Sequence, residues 1–190
     1  SPSALNVESS FLQLGTTFLR TIFVVSYPRY ISVGWSAPIL NLNLTMDVSM
    51  FFYPVSATII LKQLKKKVGA LQAQLSADAE KGAPRDPLRE TALRDIEQLR
   101  DDLTQGIEHF FQFGFYVTLY SNDKEELEKI TEDIHNIFGS KLIHSKHVLY
   151  QAEQGFNSTA PLGIDELVIS FNMNSSPIAA SFPFISSELS

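Results

Sequence analysis

The sequence predicts an α+β fold: a ferredoxin-like split βαββαβ sandwich with a long antiparallel helical hairpin inserted between its second and third strands. Three observations lead to this prediction. Strand-like segments lie on either side of a long stretch of helical period at about residues 56–106, and the sequence changes character after Tyr150. When the hairpin is set aside, the remaining elements follow the order β, short α, β, β, α, β.

The first two predicted strands differ in pattern. Arg20 to Ser26 is dense in β-branched and aromatic residues, and Tyr27-Pro28 ends it because proline cannot donate to a strand ladder. Residues 32–42 predict a short helix or turn over the sheet, with Trp35 as its anchor. Thr45 to Tyr53 then alternates with period two, which indicates a second strand with one apolar face.

The inserted helices are predicted from two narrow apolar seams. The first helix, over residues 56–81, ends at Gly82, and the second begins with Asp86 as its N-cap and Pro87 at its first position. Matching seams and a short turn predict an antiparallel pair with most of each helix surface in water. The seam residues, at spacings of three and four, are Leu61, Leu64, Val68, Leu71 and Leu75, then Ala92, Ile96, Leu99 and Leu103.

The last three elements follow the hairpin. Phe110 to Tyr120 is apolar on both faces over much of its length, which predicts a central strand. Asn122 with Glu125 resembles a capping box, and it opens an amphipathic helix that Gly139 ends. Lys141 to Tyr150 predicts the final strand of the sheet.

We expect residues 1–150 to form the α+β domain and residues 151–190 to be an extended connector. The connector prediction rests on its many glycine, proline, serine and asparagine residues, with one short strand near Leu167 to Phe171. Such a segment is typical of a link to a further domain, and we expect that domain to lie C-terminal to this chain.

Composition limits the function classes. The chain has 190 residues, a formal net charge of −6 and no cysteine. Disulfides and thiolate metal sites are therefore excluded, and a surface built to coat nucleic acid is disfavoured. We expect neither a signal peptide nor a transmembrane segment, because the most apolar N-terminal stretch is interrupted by polar residues.

Catalytic motifs are not found. The sequence contains no phosphate-binding loop, dinucleotide fingerprint or nucleophile elbow. Of the four histidines, His144 and His147 are closest, but a spacing of three in a strand places them on opposite faces. We therefore expect all four, which include His109 and His135, to be exposed or half-buried.

Three acidic pairs are candidates for acid/base groups. Asp101-Asp102 and Glu125-Glu126 lie on amphipathic helices, where neighbouring residues do not face one site. Asp165-Glu166 lies in the predicted connector. The sequence therefore predicts no catalytic, cofactor-binding or metal-binding residue in this chain.

The main local charge anomaly is a basic cluster on the first hairpin helix. It suggests a contact for nucleic acid, anionic lipid or an acidic partner helix. The alternative, which we favour from the sequence alone, is a solvated helix face neutralised by carboxylates of the second helix. The cluster is Lys62, Lys65, Lys66 and Lys67, and the carboxylates are Glu90, Asp95, Glu97, Asp101 and Asp102.

Several segments together resemble one protein family. They are Arg20 to Tyr30 with Gly34-Trp35, Lys65 to Lys67, Glu80 to Gly82 with Arg85 to Pro87, Gln154 to Ser158, Pro161 to Gly163, and Phe182 to Leu189. This pattern is similar to the N-terminal domain of the ATPases that power conjugative type IV secretion systems. The resemblance covers nearly the whole chain, although none of its motifs is as specific as a phosphate loop.

The resemblance implies a division of labour. Members of the family carry a C-terminal RecA-like motor domain, which holds the Walker motifs, binds ATP and Mg²⁺ and contributes to self-association. Their N-terminal domain docks the motor onto inner-membrane components of the secretion channel and contributes to oligomer assembly. For this chain the resemblance implies a cytoplasmic location, peripheral to the inner face of the membrane, and no bound cofactor.

Two other functions remain open at this point. The first is a nucleic-acid-binding module that uses the lysine cluster of the hairpin. The second is a small free-standing enzyme, since ferredoxin-like folds host many chemistries. That interpretation would need a pocket converging on His144, Asp165 or Glu166 with strongly shifted pKa values.

Overall fold

The computed structural model describes residues 5–28 and 30–181, which contain seven strands and six helices. The fold is α+β with a mostly antiparallel sheet, as the sequence predicts. The strands are β1 (Leu5–Val7), β2 (Leu12–Leu14), β3 (Thr17–Ser26), β4 (Met46–Val55), β5 (Phe110–Ser121), β6 (His144–His147) and β7 (Phe171–Asn174). The helices are α1 (Ala37–Leu40), α2 (Ala57–Glu80), α3 (Pro87–Thr104), α4 (Lys124–Ser140), α5 (Ala152–Thr159) and α6 (Ser175–Ala180).

The described residues form two compact units. The sheet unit comprises residues 5–28, 30–53, 112–173 and 177–181, and the hairpin unit comprises residues 54–111 and 174–176. The hairpin unit therefore lies between two strands of the sheet in the chain order, as the sequence predicts.

Strand β3 organises the sheet. Along one edge it pairs antiparallel with β5, from Phe18 opposite Ser121 to Phe23 opposite Tyr116. Along the other edge it pairs first with β2 and then with β6, where Ile22 lies opposite His147. Strand β4 pairs with β5 on the side away from β3, so four strands lie in the order β6-β3-β5-β4.

One face of the sheet carries the main core. Ile22 of β3 and Val117 of β5 point to this face, where Leu127, Ile134 and Phe138 of α4 cover them. The helix begins at Asp123, whose carboxylate accepts a hydrogen bond from the amide of Glu125 at 2.8 Å. The predicted cap, Asn122, is wrong by one residue, because its side-chain oxygen accepts from the hydroxyl of Thr17 instead.

The predicted anchor Trp35 is buried in the same core. Its ring packs against Phe115 and Phe138, with centroid distances of 5.1 and 6.2 Å. Its indole N–H donates to the hydroxyl of Ser181 at 2.9 Å, which satisfies its polar group. The predicted short helix beside it is α1, of four residues.

The prediction of an extended connector after Tyr150 is wrong over residues 152–159. These residues form α5, which packs against β3 on the face of the sheet opposite α4. Gly155 makes this contact, since a Cβ there would lie 2.8 Å from Cβ of Thr21. The prediction of a short strand near Leu167 to Phe171 is wrong except at its last residue, since β7 spans Phe171–Asn174. Residues 182–190 lie outside the described residues.

Threonine hydroxyls join the helix to the sheet beneath it. Thr21 and Thr118 are opposite each other on β3 and β5, and their hydroxyl oxygens lie 2.7 Å apart. The hydroxyl of Thr118 also lies 2.5 Å from that of Thr159 in α5. Since all three side chains are buried, the chain of hydroxyls supplies polar partners that water does not.

The helical hairpin is confirmed. Helices α2 and α3 run antiparallel, because Asp78 pairs with Arg89 near the turn and Gln72 bonds to Glu97 farther from it. Asp86 caps α3 as predicted, accepting from the amides of Leu88 and Arg89. The predicted seams are buried or half-buried, with Val68 and Leu103 the most deeply buried members.

Replacing Gly155 by alanine tests the close contact of α5 with the sheet. The new Cβ would collide with Thr21, so we expect Gly155→Ala to lower the free energy of unfolding by about 1–3 kcal/mol. Urea unfolding followed by circular dichroism measures this change. Gly139→Ala is the matched control, because no atom lies within 4 Å of a Cβ there. Equal effects of the two substitutions would contradict the proposed contact.

Candidate functional site

The four lysines predicted as a contact lie on α2, and all four side chains are exposed. Lys62, Lys65 and Lys66 share one face of the helix, because residues three and four apart are neighbours on a helix surface. Lys67 lies on the flank of that face. Helix α2 therefore presents a compact basic surface about one turn after its start.

The expected ion pairs between the lysines and the carboxylates of α3 are not found among the described residues. Four of the five carboxylates bond to other groups: Glu90 to Arg85 at 2.9 Å, Asp101 to Arg100 at 3.0 Å, Asp102 to Gln98 at 2.8 Å and Glu97 to Gln72 at 3.3 Å. Within residues 5–28 and 30–181, no ion pair or hydrogen bond engages any of the four lysines. The basic surface therefore has no direct ion-pair partner in this part of the chain.

A second polar cluster, which the sequence did not reveal, lies between α4, β3 and β6. Arg20 is almost fully buried, and its guanidinium donates to Glu128 at 2.7 Å and to the carbonyl of Ser10 at 3.1 Å. A ring nitrogen of His135 lies 2.6 Å from the hydroxyl of Ser145. The ring of His147 is 6.1 Å from that of His135.

The two histidines of this cluster are held towards their neutral forms. Burial lowers the pKa of His135, and the nearby His147 and Arg20 lower it further. Burial and then Arg20 lower the pKa of His147, while Glu128 opposes the change. A serine beside a neutral histidine resembles part of a nucleophilic pair. The guanidinium of Arg20 is engaged by Glu128 and by the carbonyl of Ser10, and these bonds fasten β3 to α4 and to the loop between β1 and β2. We therefore interpret the cluster as a structural one.

Asp165, a predicted candidate, joins a third cluster. Its carboxylate accepts hydrogen bonds from the hydroxyls of Tyr53 and Tyr116, both at 3.0 Å, and from the amide of Val168 at 2.9 Å. Burial, and then Asp165, raise the pKa of Tyr53. The hydroxyl of Tyr116 also accepts from the amide of Ile169 at 3.0 Å. These bonds fasten residues 165–169 to the sheet.

The other acidic and histidine candidates do not converge on a pocket. Glu166 accepts from the amide group of Asn157, and Glu126 accepts from the hydroxyl of Ser121. His144 is exposed on β6, and Glu125 is exposed on α4. The structure therefore offers no support for the free-standing enzyme built on His144, Asp165 or Glu166.

Two small cavities have volumes of about 170 Å³ each. One lies beside Trp35 and Lys141 in the sheet unit, and the other lies at the turn of the hairpin. The acidic side chains at the turn are already engaged, since Asp78 and Asp86 both pair with Arg89. Neither cavity is lined by the four lysines of α2 or by the histidine cluster.

Comparison with known proteins finds no match among protein-family models or curated proteins. Among the described residues, no group of three or more acidic, histidine or cysteine side chains is placed to bind a metal ion. No helix in that part of the chain has the length and apolarity to cross a bilayer. The exposed basic surface of α2 is the candidate functional site.

The histidine cluster predicts a pH dependence of stability. Since the pKa values of His135 and His147 are lowered in the folded state, the unfolded chain binds protons first as the pH falls below about 6.5. We expect the folded state to lose stability from there until the folded pKa values are passed. NMR titration of the two rings, in the native state and in urea, measures both sets of pKa values. His135→Asn/His147→Asn should show a smaller loss of urea midpoint between pH 7.5 and 5.5, and an unchanged loss would refute this assignment.

The Asp165 cluster predicts a local loss of order on substitution. Asp165→Ala removes the acceptor of two phenol hydroxyls and one backbone amide, so we expect a loss of about 1–3 kcal/mol. Hydrogen exchange of the backbone amides of Val168 and Ile169 should also be faster in this variant than in the wild type. Glu166→Ala serves as the control, with an expected change within about 0.5 kcal/mol. Equal exchange rates in the two variants would contradict the role given to Asp165.

Proposed function

We propose that this chain is the N-terminal docking and assembly domain of an ATPase that energises type IV secretion in conjugative DNA or protein transfer. In this proposal the domain holds the ATPase against inner-membrane channel components at the cytoplasmic face of the membrane, and nucleotide chemistry belongs to a separate motor domain. The resemblance of the sequence segments to that family supports the proposal.

The observation that carries the proposal is the exposed basic surface of α2 in the hairpin unit, whose four lysines form no ion pair with the described residues. Helices α2 and α3 bury a narrow seam between them and leave most of their surfaces exposed. A long helix with an exposed face of one charge is suited to contact another macromolecule, because charge complementarity guides association and orientation. The hairpin is therefore the docking element in our proposal.

We further propose that the sheet unit is a variant of the ferredoxin-like split βαββαβ fold. The strand order β6-β3-β5-β4 supports this proposal, since it has the first and third strands of that fold at its centre. Two features differ from the expected sandwich. The first crossover contains only the four-residue α1, and α5 covers the second face of the sheet.

A nucleic-acid-binding module is the second candidate, and the same lysines favour it. Phosphate contacts by Lys62, Lys65, Lys66 and Lys67 would make binding fall steeply with salt. The net charge of −6 opposes this function, because the acidic remainder of the chain repels a polyanion.

Binding to isolated inner-membrane channel components, purified in detergent, tests the proposal. We expect saturable binding by the purified chain and no ATP hydrolysis by the chain alone. A 30-base-pair duplex and a matched single strand serve as the nucleic-acid arms, measured at 50 and 200 mM salt. Hydrolysis by the chain would contradict the proposal. Salt-dependent binding to DNA without binding to the channel components would favour the second candidate.

A further inference from the structure

Helix α2 has a second stripe on the side away from its apolar seam. The stripe, which we call the outer seam, has successive spacings of three, four, three, four and three residues, and each of its members is exposed. This is the spacing by which one helix packs along another. The outer seam consists of Ile59, Lys62, Lys66, Gly69, Ala73 and Ser76.

The first half of the outer seam is basic. Lys62 and Lys66 lie four residues apart, and Lys65 lies beside them on the same face. Like charges at this spacing repel each other and weaken an isolated helix. Helix α2 has no acidic residue before Asp78, so no carboxylate of the same helix reduces this repulsion. Carboxylates of a binding partner would therefore interact favourably with these lysines.

The second half of the outer seam consists of residues with small side chains. A Cβ at Gly69 would meet no atom within 4 Å, so the surface around it is open. Ala73 continues this small surface one turn further along the helix. Small side chains allow a second backbone to come close, as a packed helix requires. The exposed Ile59, at 55% of its accessible area, provides an apolar contact at the other end.

We propose that the outer seam binds an acidic helix of an inner-membrane channel component, with carboxylates three or four residues apart facing Lys62, Lys65 and Lys66. Larger side chains of the same helix cover Gly69 and Ala73. The proposal rests on the proposed function and adds to it the chemistry of the partner and the surface that recognises it.

Two other occupants fit the outer seam less well. A helix that lies on a lipid surface presents a broad face of large apolar residues, whereas Ile59 is the one large apolar residue of the outer seam. A nucleic-acid backbone would use the lysines but would gain nothing from Gly69, Ala73 or Ile59. An acidic helix uses both halves of the outer seam.

The experiment compares two variants that change different halves of the seam. Lys62→Glu/Lys65→Glu/Lys66→Glu reverses the charge, and Ala73→Trp blocks close approach without changing the charge. Binding to the purified channel components is measured for both, and circular dichroism verifies that α2 is retained. Lys62→Gln/Lys65→Gln/Lys66→Gln gives a second, milder change of the basic half.

We expect charge reversal to weaken binding at least tenfold, the scale of three exposed ion pairs lost and replaced by repulsion. Ala73→Trp should weaken binding to a similar extent, and the glutamine variant should lie between charge reversal and wild type. The matched control, Lys81→Glu/Arg94→Glu/Lys129→Glu, changes the net charge equally at exposed positions outside the seam and should bind as the wild type does.

Overlapping peptides from the cytoplasmic segments of the channel components complete the test. Binding should be confined to helical peptides with carboxylates at spacings of three or four. Failure of the wild-type chain to bind the components would contradict the proposed function itself. Wild-type binding that neither variant changes would leave the proposed function in place and overturn the outer seam. The outer-seam proposal would also be overturned if the chain bound vesicles with 30% anionic lipid, or DNA, more tightly than it bound the channel components, and if Ala73→Trp did not affect that binding.

Discussion

Strand β5 is buried on both faces from Phe113 to Leu119. The other elements of the sheet unit must therefore cover both of its faces and pair with both of its edges. Its backbone is paired by β3 on one edge and β4 on the other. One face is apolar and is covered by α4. The other face carries Tyr116 and Thr118, whose hydroxyls need polar partners once they are buried. Thr159 and Asp165 supply those partners, so the polar side chains of β5 specify which part of the chain covers them.

The same constraint explains which elements could be predicted. The hairpin helices, α4 and the long strands have clear periods, and their positions follow from those periods alone. Helix α5 has only eight residues, and Gly155, Asn157 and Ser158 are poor helix formers. Its stability comes from contact with β3, which local sequence does not report. In the sequence Gly155 favours an irregular segment, whereas in the fold it permits a close contact between α5 and β3.

The candidate surface was predictable in part. The spacing of the lysines within a predicted helix is enough to place Lys62, Lys65 and Lys66 on one face. Whether these lysines form ion pairs depends on which side chains contact the carboxylates of α3. In the fold, Arg100, Gln72 and Gln98 bond to three of those carboxylates. The histidine cluster was beyond sequence reasoning. Arg20, His135 and His147 are distant in the chain, and only the pairing of β6 with β3 under α4 brings them together.

The two stripes of α2 lie on opposite sides of the helix, and this separation has a consequence for how the hairpin can work. The apolar seam of α2, with Val68 at its centre, stabilises the pairing with α3. The outer seam is exposed and contributes nothing to that pairing. Its residues are therefore not constrained by packing within the hairpin and can be suited to binding a partner. Lys62 and Lys66, four residues apart, repel each other and are unfavourable for the helix itself. The apolar seam of α2 makes this arrangement tolerable, because helical stability in proteins comes mainly from the packed face rather than from the exposed one.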